Sequence, residues 1–278
     1  MLTEALIPLV THPNPNSDAV VRNPVRMAAI LDAKLHALAI NADIPVVSNA
    51  LSRLFLNVPE MIRQAEQMSR ERGNHLLAEI EKEAERMGVQ ATTNAITPKV
   101  TQPGDAAAIH SRYYDYVLCG WEANNSTTAS TAEAVIFGSG RPTILMPELS
   151  SIGGLDHVAI AWDGSRVAAR AVADARHFLR RATRISVLTV VGEKNLHRTD
   201  AAERLALRLE RRGMAAEAVP LTFRGFDIAT LLQEHATTLG AGLLVMGAFG
   251  HSRAREFILG GATRGVLNDL RLPVLLSH

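Results

Sequence analysis

The segment GLLVMGAFGHSRAREFILGGATRGVLNDLRLPVLLSH, residues 242–278, carries the pattern on which the fold prediction rests. Its apolar run at 243–246 has the length and composition of a strand buried on both faces, and the run ends at Gly247. A glycine-rich segment follows, then a helix-like stretch at 262–270 and a short apolar run at 274–276. The segment therefore predicts a strand, a glycine loop, a helix and a closing strand.

The spaced glycines of this segment are compatible with a phosphate site. They are Gly247, Gly250, Gly260 and Gly261. A glycine lets the backbone approach a ligand closely, and the amino terminus of a helix offers unpaired N–H groups to an anion. Turns and helix ends also need glycine, because they often require a positive φ angle, whether or not the protein binds a ligand. The spacing alone therefore does not distinguish a phosphate site from ordinary turns.

Length and composition predict two ordinary globular domains. The chain has 278 residues, of which 47% are hydrophobic and 21% charged, and its net charge is +1. This length accommodates two domains that each have a core. The sequence has no apolar run of membrane-spanning length, and its near-zero net charge does not predict binding to nucleic acid or to anionic lipid.

The cysteine content and the first residues predict a cytoplasmic protein. Cys119 is the single cysteine, which excludes an intrachain disulfide and suits a reducing compartment. It lies in the apolar run at 116–119, which favours a core position over a redox role. The first six residues lack the basic and apolar regions of a secretory signal.

Strand-like and helix-like segments alternate along the chain, and their order repeats after residue 154. In the first half the predicted strands are 5–10, 35–40, 91–96, 116–120 and 141–147, and the predicted helices are 18–31, 60–87 with a break near Gly73, 104–113 and 130–137. In the second half the predicted strands are 157–161, 185–191, 215–221, 243–246 and 274–276, and the predicted helices are 166–181, 201–212, 227–239 and 262–270. The pattern predicts an α/β fold with two tandem five-stranded open parallel sheets flanked by helices, in domains 1–149 and 155–278.

The two halves differ at the glycine loop. Aligning Gly120 with Gly247 at one end and Pro142 with Pro273 at the other leaves the first-half loop four residues shorter than its counterpart. Trp121 and Glu122 follow Gly120, and they add bulk and a carboxylate where a phosphate would need an open backbone. The first half is therefore predicted not to bind a triphosphate at this loop.

The loop of the second half resembles a known family. The pattern Gly247-x2-Gly250-x9-Gly260, followed by Ala262-Thr263 and a Pro-Val-Leu-Leu ending, resembles the nucleotide loop of the universal stress protein family. The resemblance implies a Rossmann-like sheet of the adenine-nucleotide alpha-hydrolase type. It also implies a cytoplasmic stress-response regulator that binds ATP, ADP or AMP, with or without Mg²⁺.

The resemblance also implies which residues hold the nucleotide. An aspartate after the first strand and an apolar residue after the second hold ribose and adenine, and the glycine loop holds the phosphates. The matching residues are Asp163, Val190 or Val191, Gly247, Gly250, His251, Gly260, Gly261, Ala262 and Thr263. Roles without a ligand are the alternative for several of these positions. Asp163 or Ser165 can cap a helix, Val190 and Val191 can be core residues, and His251 can be a solvated surface residue.

One position departs from the family pattern. Nucleotide-binding members usually carry Gly-Ser or Gly-Thr where this chain has Gly260-Gly261, so a hydroxyl expected to meet the terminal phosphate is missing. Losing one hydrogen bond to a charged oxygen weakens binding by about 1.5 to 3 kcal/mol. The sequence predicts neither a catalytic set nor a metal site, so any ATP hydrolysis is expected to be slow.

Association between chains is the alternative function. Family members commonly dimerise through the last strand, and residues 274–276 are expected to pair with 143–146 of the same chain or with another chain. The apolar insertion at 42–57 has no counterpart in the second half, and it is a partner surface or a cover for its own core.

Overall fold

The computed structural model describes residues 2–45, 57–99, 103–148, 152–192, 200–222, 227–248 and 261–278. Their contacts divide the chain into two compact units. The first unit is Met1–Leu118 with Asn124–Ser139, and the second is Cys119–Ala123 with Gly140–His278. No helix of the described residues is long and apolar enough to cross a membrane.

The first unit is a parallel sheet with helices packed against it. Its strands lie in the order β3-β2-β1-β4 and pair in parallel, and β1 and β2 are in register along their whole length, from Thr3 opposite Ala33 to Val10 opposite Ile40. The elements are β1 (Thr3–Val10), α1 (Arg22–Leu31), β2 (Ala33–Ile40), α2 (Val58–Met87), β3 (Ala91–Ile96), α3 (Pro103–Ser111), β4 (Tyr116–Trp121) and α4 (Ser126–Gly138), with one 3₁₀ turn (Asp18–Val20) before α1.

The second unit has the same kind of sheet with two more strands. Its strands lie in the order β5-β10-β9-β6-β7-β8, in which β5 and β10 are antiparallel and the other pairs are parallel. The elements are β5 (Thr143–Pro147), β6 (His157–Ala161), α5 (Arg166–Asp174), α6 (Arg176–Arg181), β7 (Arg184–Val191), α7 (Ala201–Glu210), β8 (Ala216–Thr222), α8 (Ile228–Thr238), β9 (Leu243–Gly247), α9 (Gly261–Asn268) and β10 (Val274–Ser277).

The predicted α/β fold with mostly parallel strands and flanking helices is confirmed. The central strands are continuous apolar runs because both of their faces are covered, and β9 and β10 are buried along nearly their whole length. The domain bounds 1–149 and 155–278 remain a prediction about independent folding.

Three predicted helices differ from the structure. The break near Gly73 is wrong, since α2 runs unbroken for 30 residues. The single helix predicted at 166–181 is two helices, α5 and α6, which meet at Ala175. The helix predicted at 130–137 begins earlier, at Ser126, where the Asn125 side chain accepts hydrogen bonds from the backbone N–H groups of Thr127 and Thr128.

Candidate functional site

The parallel strands of the second unit bring several predicted site residues to one edge of its sheet. Strands β6, β7 and β9 all run in the same direction, so their carboxyl ends meet at that edge. In open α/β sheets, ligands bind outside the carboxyl ends of the strands. The segments that follow these three strands are therefore the candidate site.

The turn after β6 is held by its own hydrogen bonds. Asp163 Oδ1 accepts a hydrogen bond from the backbone N–H of Ser165 at 2.9 Å, and Ser165 Oγ accepts one from Ala168 N–H at 3.2 Å. Gly164, between them, has φ +74°, a conformation that favours glycine. The capping interpretation is confirmed for Ser165, which is the N-cap of α5. Asp163 itself is exposed at the sheet edge.

The end of β7 lies beside this turn. Val190 is 6% exposed and belongs to the core, whereas Val191 is partly exposed. Val191 is therefore the better placed of the two predicted apolar contacts for a ligand at the edge. Gly192 follows with φ +97°, a conformation that favours glycine.

Trp162 is a candidate site residue that the sequence reasoning missed. It lies between β6 and Asp163 and is partly exposed. Its backbone N–H donates to the Leu188 carbonyl at 2.8 Å, and its carbonyl accepts from Thr189 Oγ1 at 2.8 Å, so it is fixed to the end of β7. An aromatic side chain directly before the turn aspartate was the available sequence signal, because indole rings stack on planar ligands.

Gly247 joins the end of β9 to the turn. A Cβ atom at this position would lie 2.5 Å from Ala168 N and 2.6 Å from Val167 C, both in the first turn of α5. Only glycine permits this contact, which places the end of β9 directly against the helix that Ser165 caps. The structure thus packs Gly247 against the helix that directly follows the Asp163–Ser165 turn, which gives the glycine a packing reason.

The phosphate end of the predicted site is described only from α9 onward. The helix begins at Gly261, Ala262 in its first turn is partly exposed, and Thr263 is 3% exposed. Gly250, His251 and Gly260 lie outside the described residues, as do residues 46–56 of the apolar insertion. Thr263 is too buried to replace the hydroxyl that is missing at Gly261.

Comparison with protein-family models identifies the second unit. Residues 154–278 match the model described as the universal stress protein family. They form a universal stress protein domain. No curated protein sequence matches the chain.

Solved structures extend the likeness in fold over the whole length. A universal stress protein from Archaeoglobus fulgidus has a TM-score of 0.72 and 16% identity, over 98% of this chain and 95% of its own. A putative universal stress protein from Pseudomonas aeruginosa has a TM-score of 0.57 and 14% identity, over 99% of this chain and 93% of its own. At these identities the likeness concerns the fold alone, and it includes the half of the chain that precedes the universal stress protein domain.

The first half differs from the universal stress protein domain at the corresponding edge. Trp121 and Glu122 at the end of β4 are 4% and 8% exposed, so they are packed into the protein. A cavity of about 290 Å³ lies at the carboxyl ends of β1 and β2, and its described lining contains Asp43 and no lysine or arginine. These features disfavour a triphosphate in the first half.

Neither a metal site nor a reactive thiol is found in the described parts of the chain. Within those parts no three His, Cys, Asp or Glu side chains are close enough to share a metal ion. Cys119 is buried, and burial raises the pKa of its thiol to about 12, so the reactive thiolate form is disfavoured at neutral pH.

Proposed function

We propose that the universal stress protein domain binds ATP, ADP or AMP at the carboxyl edge of its sheet and that the protein is a cytoplasmic, nucleotide-responsive stress regulator. The packing of Gly247 against the first turn of α5 is the observation that carries the proposal. This contact supports the proposal because α5 is the helix that directly follows the Asp163–Ser165 turn. The carboxyl edge is the location at which open parallel sheets bind nucleotides.

Each part of the nucleotide has a proposed contact. Asp163 holds the ribose hydroxyls as a hydrogen-bond acceptor, and Val191 and Trp162 contact the adenine ring. The phosphates lie at the amino end of α9, where unpaired N–H groups favour anions. The proposed phosphate contacts are Gly247, Gly250, His251, Gly260, Gly261, Ala262 and Thr263, of which Thr263 contributes its backbone N–H and not its buried hydroxyl.

The residues at this edge favour binding of the nucleotide as a signal over hydrolysis of ATP. ATP hydrolysis needs a group that positions or deprotonates water. Asp163 is proposed to hold the ribose, so it is not assigned to water at the terminal phosphate, and its Oδ1 accepts a hydrogen bond from the Ser165 N–H. We therefore expect hydrolysis to be slow and the bound nucleotide, with or without Mg²⁺, to act as a signal.

Calorimetry on a charged and an uncharged variant at Ala262 tests the proposal. We expect wild-type protein to bind one ATP per chain, and Ala262→Asp to lose at least about tenfold in affinity because the carboxylate repels the phosphates. An acidic residue in the first turn of a helix stabilises that helix, so unfolding is not the expected cause. Ala262→Ser is the matched control and should bind as wild type. Titrations with Mg²⁺ and with EDTA show whether the metal takes part.

Two outcomes would contradict the nucleotide proposal. One is the absence of ATP, ADP and AMP binding at millimolar concentration. The other is binding of one nucleotide per chain with an affinity that Ala262→Asp leaves unchanged, since this would mean that the nucleotide binds elsewhere.

The missing hydroxyl at Gly261 provides a test by gain of affinity. Gly261→Ser restores the residue type that nucleotide-binding family members usually carry at this position. We expect ATP to bind about tenfold more tightly to this variant, because one hydrogen bond to a charged oxygen is gained. Equal ATP affinity of wild type and Gly261→Ser in the same calorimetric assay would show that no phosphate reaches this position.

Association through β10 is the alternative proposal from the sequence. In the structure β10 pairs with β9 on one side and with β5 on the other, where Leu275 lies opposite Ile144. A dimer built on this strand would have to displace β5. A dimer of the protein is therefore proposed only as a secondary property, to be tested by its mass in solution.

A further inference from the structure

The second unit has a concentration of arginine away from the carboxyl edge of its sheet. Residues 176–212 contain nine arginines and one lysine but only four acidic residues, whereas the whole chain has a net charge of +1. The excess is therefore local. Six of its exposed arginines lie on α6, on α7 and just after α7 and line two grooves: Arg176, Arg180, Arg204, Arg208, Arg211 and Arg212. We call these six residues the arginine surface.

The arginine surface is concave. Arg176, Arg180 and Arg212 line a groove of about 430 Å³ together with Gly213 and Met214. A second groove of about 560 Å³ is lined by Arg204, Leu207, Arg208, Arg211 and Arg212. Arg212 belongs to both, so the two grooves adjoin. Their volumes lie within the range of small-molecule sites.

Most of these arginines have no acidic partner among the residues that the structure describes. Arg204 forms an ion pair with Asp200 at 3.0 Å. In the described ranges, no carboxylate pairs with Arg176, Arg180, Arg208 or Arg212. By contrast, Arg184, nearby in sequence, pairs with Glu217, and Arg170 on α5 pairs with Asp174. Clustered guanidinium groups repel one another, and a bound anion would relieve that repulsion.

Helix structure explains only part of the arrangement. Cations near the end of a helix are stabilised by its dipole, which accounts for Arg180 in the last turn of α6 and Arg208 in the last turn of α7. Arg212 directly follows Arg211, the C-cap of α7, so the dipole of α7 favours it as well. Arg176 is the first residue of α6 and also directly follows Ala175, which ends α5, so the two helix dipoles act on it in opposite directions. The helix ends thus give no net reason for a cation at Arg176, which lines the first groove.

We propose that the arginine surface binds linear inorganic polyphosphate. Guanidinium groups make paired hydrogen bonds to phosphate oxygens, and two adjoining grooves that share Arg212 suit a chain of phosphates more than a single one. Nucleic acid offers phosphates too, but single-stranded binding sites usually add aromatic side chains on which bases stack. The described lining of both grooves contains arginine, leucine, methionine and glycine and no aromatic residue.

Binding of short linear polyphosphate to the purified full chain tests the proposal. We expect the double variant Arg180→Glu/Arg212→Glu to lose at least about tenfold in affinity, and binding to weaken as salt is raised. Arg70→Glu/Arg26→Glu in the first unit is the matched control, since it changes the net charge equally at two exposed positions. It should bind as wild type. Circular dichroism and thermal unfolding establish that both double variants are folded.

Competing ligands decide the class of anion. The proposal is overturned if wild type does not bind polyphosphate, or if both double variants weaken binding equally. It is also overturned if single-stranded RNA with the same number of phosphates, or a polyaspartate peptide of the same charge, binds more tightly than polyphosphate. Arg180→Lys/Arg212→Lys retains the charge but not the paired hydrogen bonds, and we expect intermediate affinity.

Discussion

A methyl group on Gly247 would meet the backbone of α5 at 2.5 Å, so this glycine is required by packing before any ligand is considered. The same contact holds the end of β9 against α5, the helix that follows the Asp163 turn. Gly247 therefore belongs both to the core and to the proposed nucleotide site. A loss of ATP binding in a Gly247 variant would not by itself locate the nucleotide, which is why the calorimetric test uses Ala262.

Gly247→Ala is expected to destabilise the protein. Overpacking against backbone atoms costs about 1 to 3 kcal/mol, and here Ala168 N and Val167 C belong to a capped helix turn that has little room to move. Urea unfolding followed by circular dichroism measures the effect. Gly153→Ala is the control, because a Cβ at that position meets no atom within 4 Å. Equal stability of the two variants would show that β9 and α5 are not packed as described.

His157 gives the second unit a predicted pH dependence. Its Nδ1 donates to the Leu239 carbonyl at 3.0 Å, and its Nε2 lies 2.9 Å from Ser186 Oγ. Burial, and secondly the charge of Arg184, lower the pKa of His157 below its usual 6.5. Because the unfolded state binds the proton more readily, the stabilising contribution is complete above pH 6.5 and is lost as pH falls through the lowered value.

Urea unfolding as a function of pH checks this prediction. The free energy of unfolding of wild type should fall as pH is lowered from 7 toward 5. In His157→Gln, which has no titrating ring, the decline in this range should be smaller. Glu217 does not interfere in this pH range. Hydrogen bonding from Arg184 lowers the pKa of Glu217 below 4.5, so its contribution to the free energy of unfolding is lost only under more acidic conditions. Parallel pH profiles of wild type and His157→Gln would contradict the assignment to His157.

At the scale of elements, the sequence predicted the strands well. Helix ends were predicted less well, because small and polar residues there carry no apolar periodicity. The bounds of β3 and β6 agree with the predicted 91–96 and 157–161, because both runs are bounded by turn residues. The predicted break at Gly73 is wrong for a tertiary reason. A Cβ there would lie 2.6 Å from Asn41 Oδ1 and 3.2 Å from Ala39 Cβ, so this glycine permits close packing of α2 on the end of β2.

The candidate site was predictable only in part. The turn after β6 and the glycine that ends β9 follow from strand ends in the sequence. The positions of Asp163 and Gly247 at the edge of the sheet could therefore be predicted. Val190 and Val191 are indistinguishable in sequence, and only the structure shows that the first is buried and the second partly exposed. Trp162 was missed because its position at the edge depends on hydrogen bonds to β7, which local patterns do not reveal.

Asn125 is predicted to stabilise the start of α4, which the sequence analysis placed four residues too late. Its Oδ1 accepts from Thr127 N–H at 3.0 Å and from Thr128 N–H at 3.1 Å. Asn125→Ala should lower the free energy of unfolding by about 1 kcal/mol, as for other N-caps. Asn125→Asp keeps the acceptor and is expected to remain near wild type in the same urea experiment. If Asn125→Asp is destabilised as much as Asn125→Ala, the cap is not what the residue contributes.

At the scale of the whole molecule, the grouping of β5 with the second unit gives the last strand a neighbour on each side. β10 is parallel to β9 and antiparallel to β5, with Val274 opposite Leu145 and Leu276 opposite Thr143. A strand that is paired on both sides has no free backbone groups to offer another chain. The sheet of the second unit is therefore completed within one chain at this position.

Leu275→Lys distinguishes an internal strand from a dimer edge. Leu275 is fully buried, so a lysine there places an unpaired charge in the core, and we expect the free energy of unfolding to fall by about 3 kcal/mol or more. Leu207→Lys is the control, because Leu207 is 48% exposed and its replacement should cost little. Light scattering supplies the second measurement. A Leu275→Lys protein with wild-type stability and half the wild-type mass would show instead that β10 joins two chains.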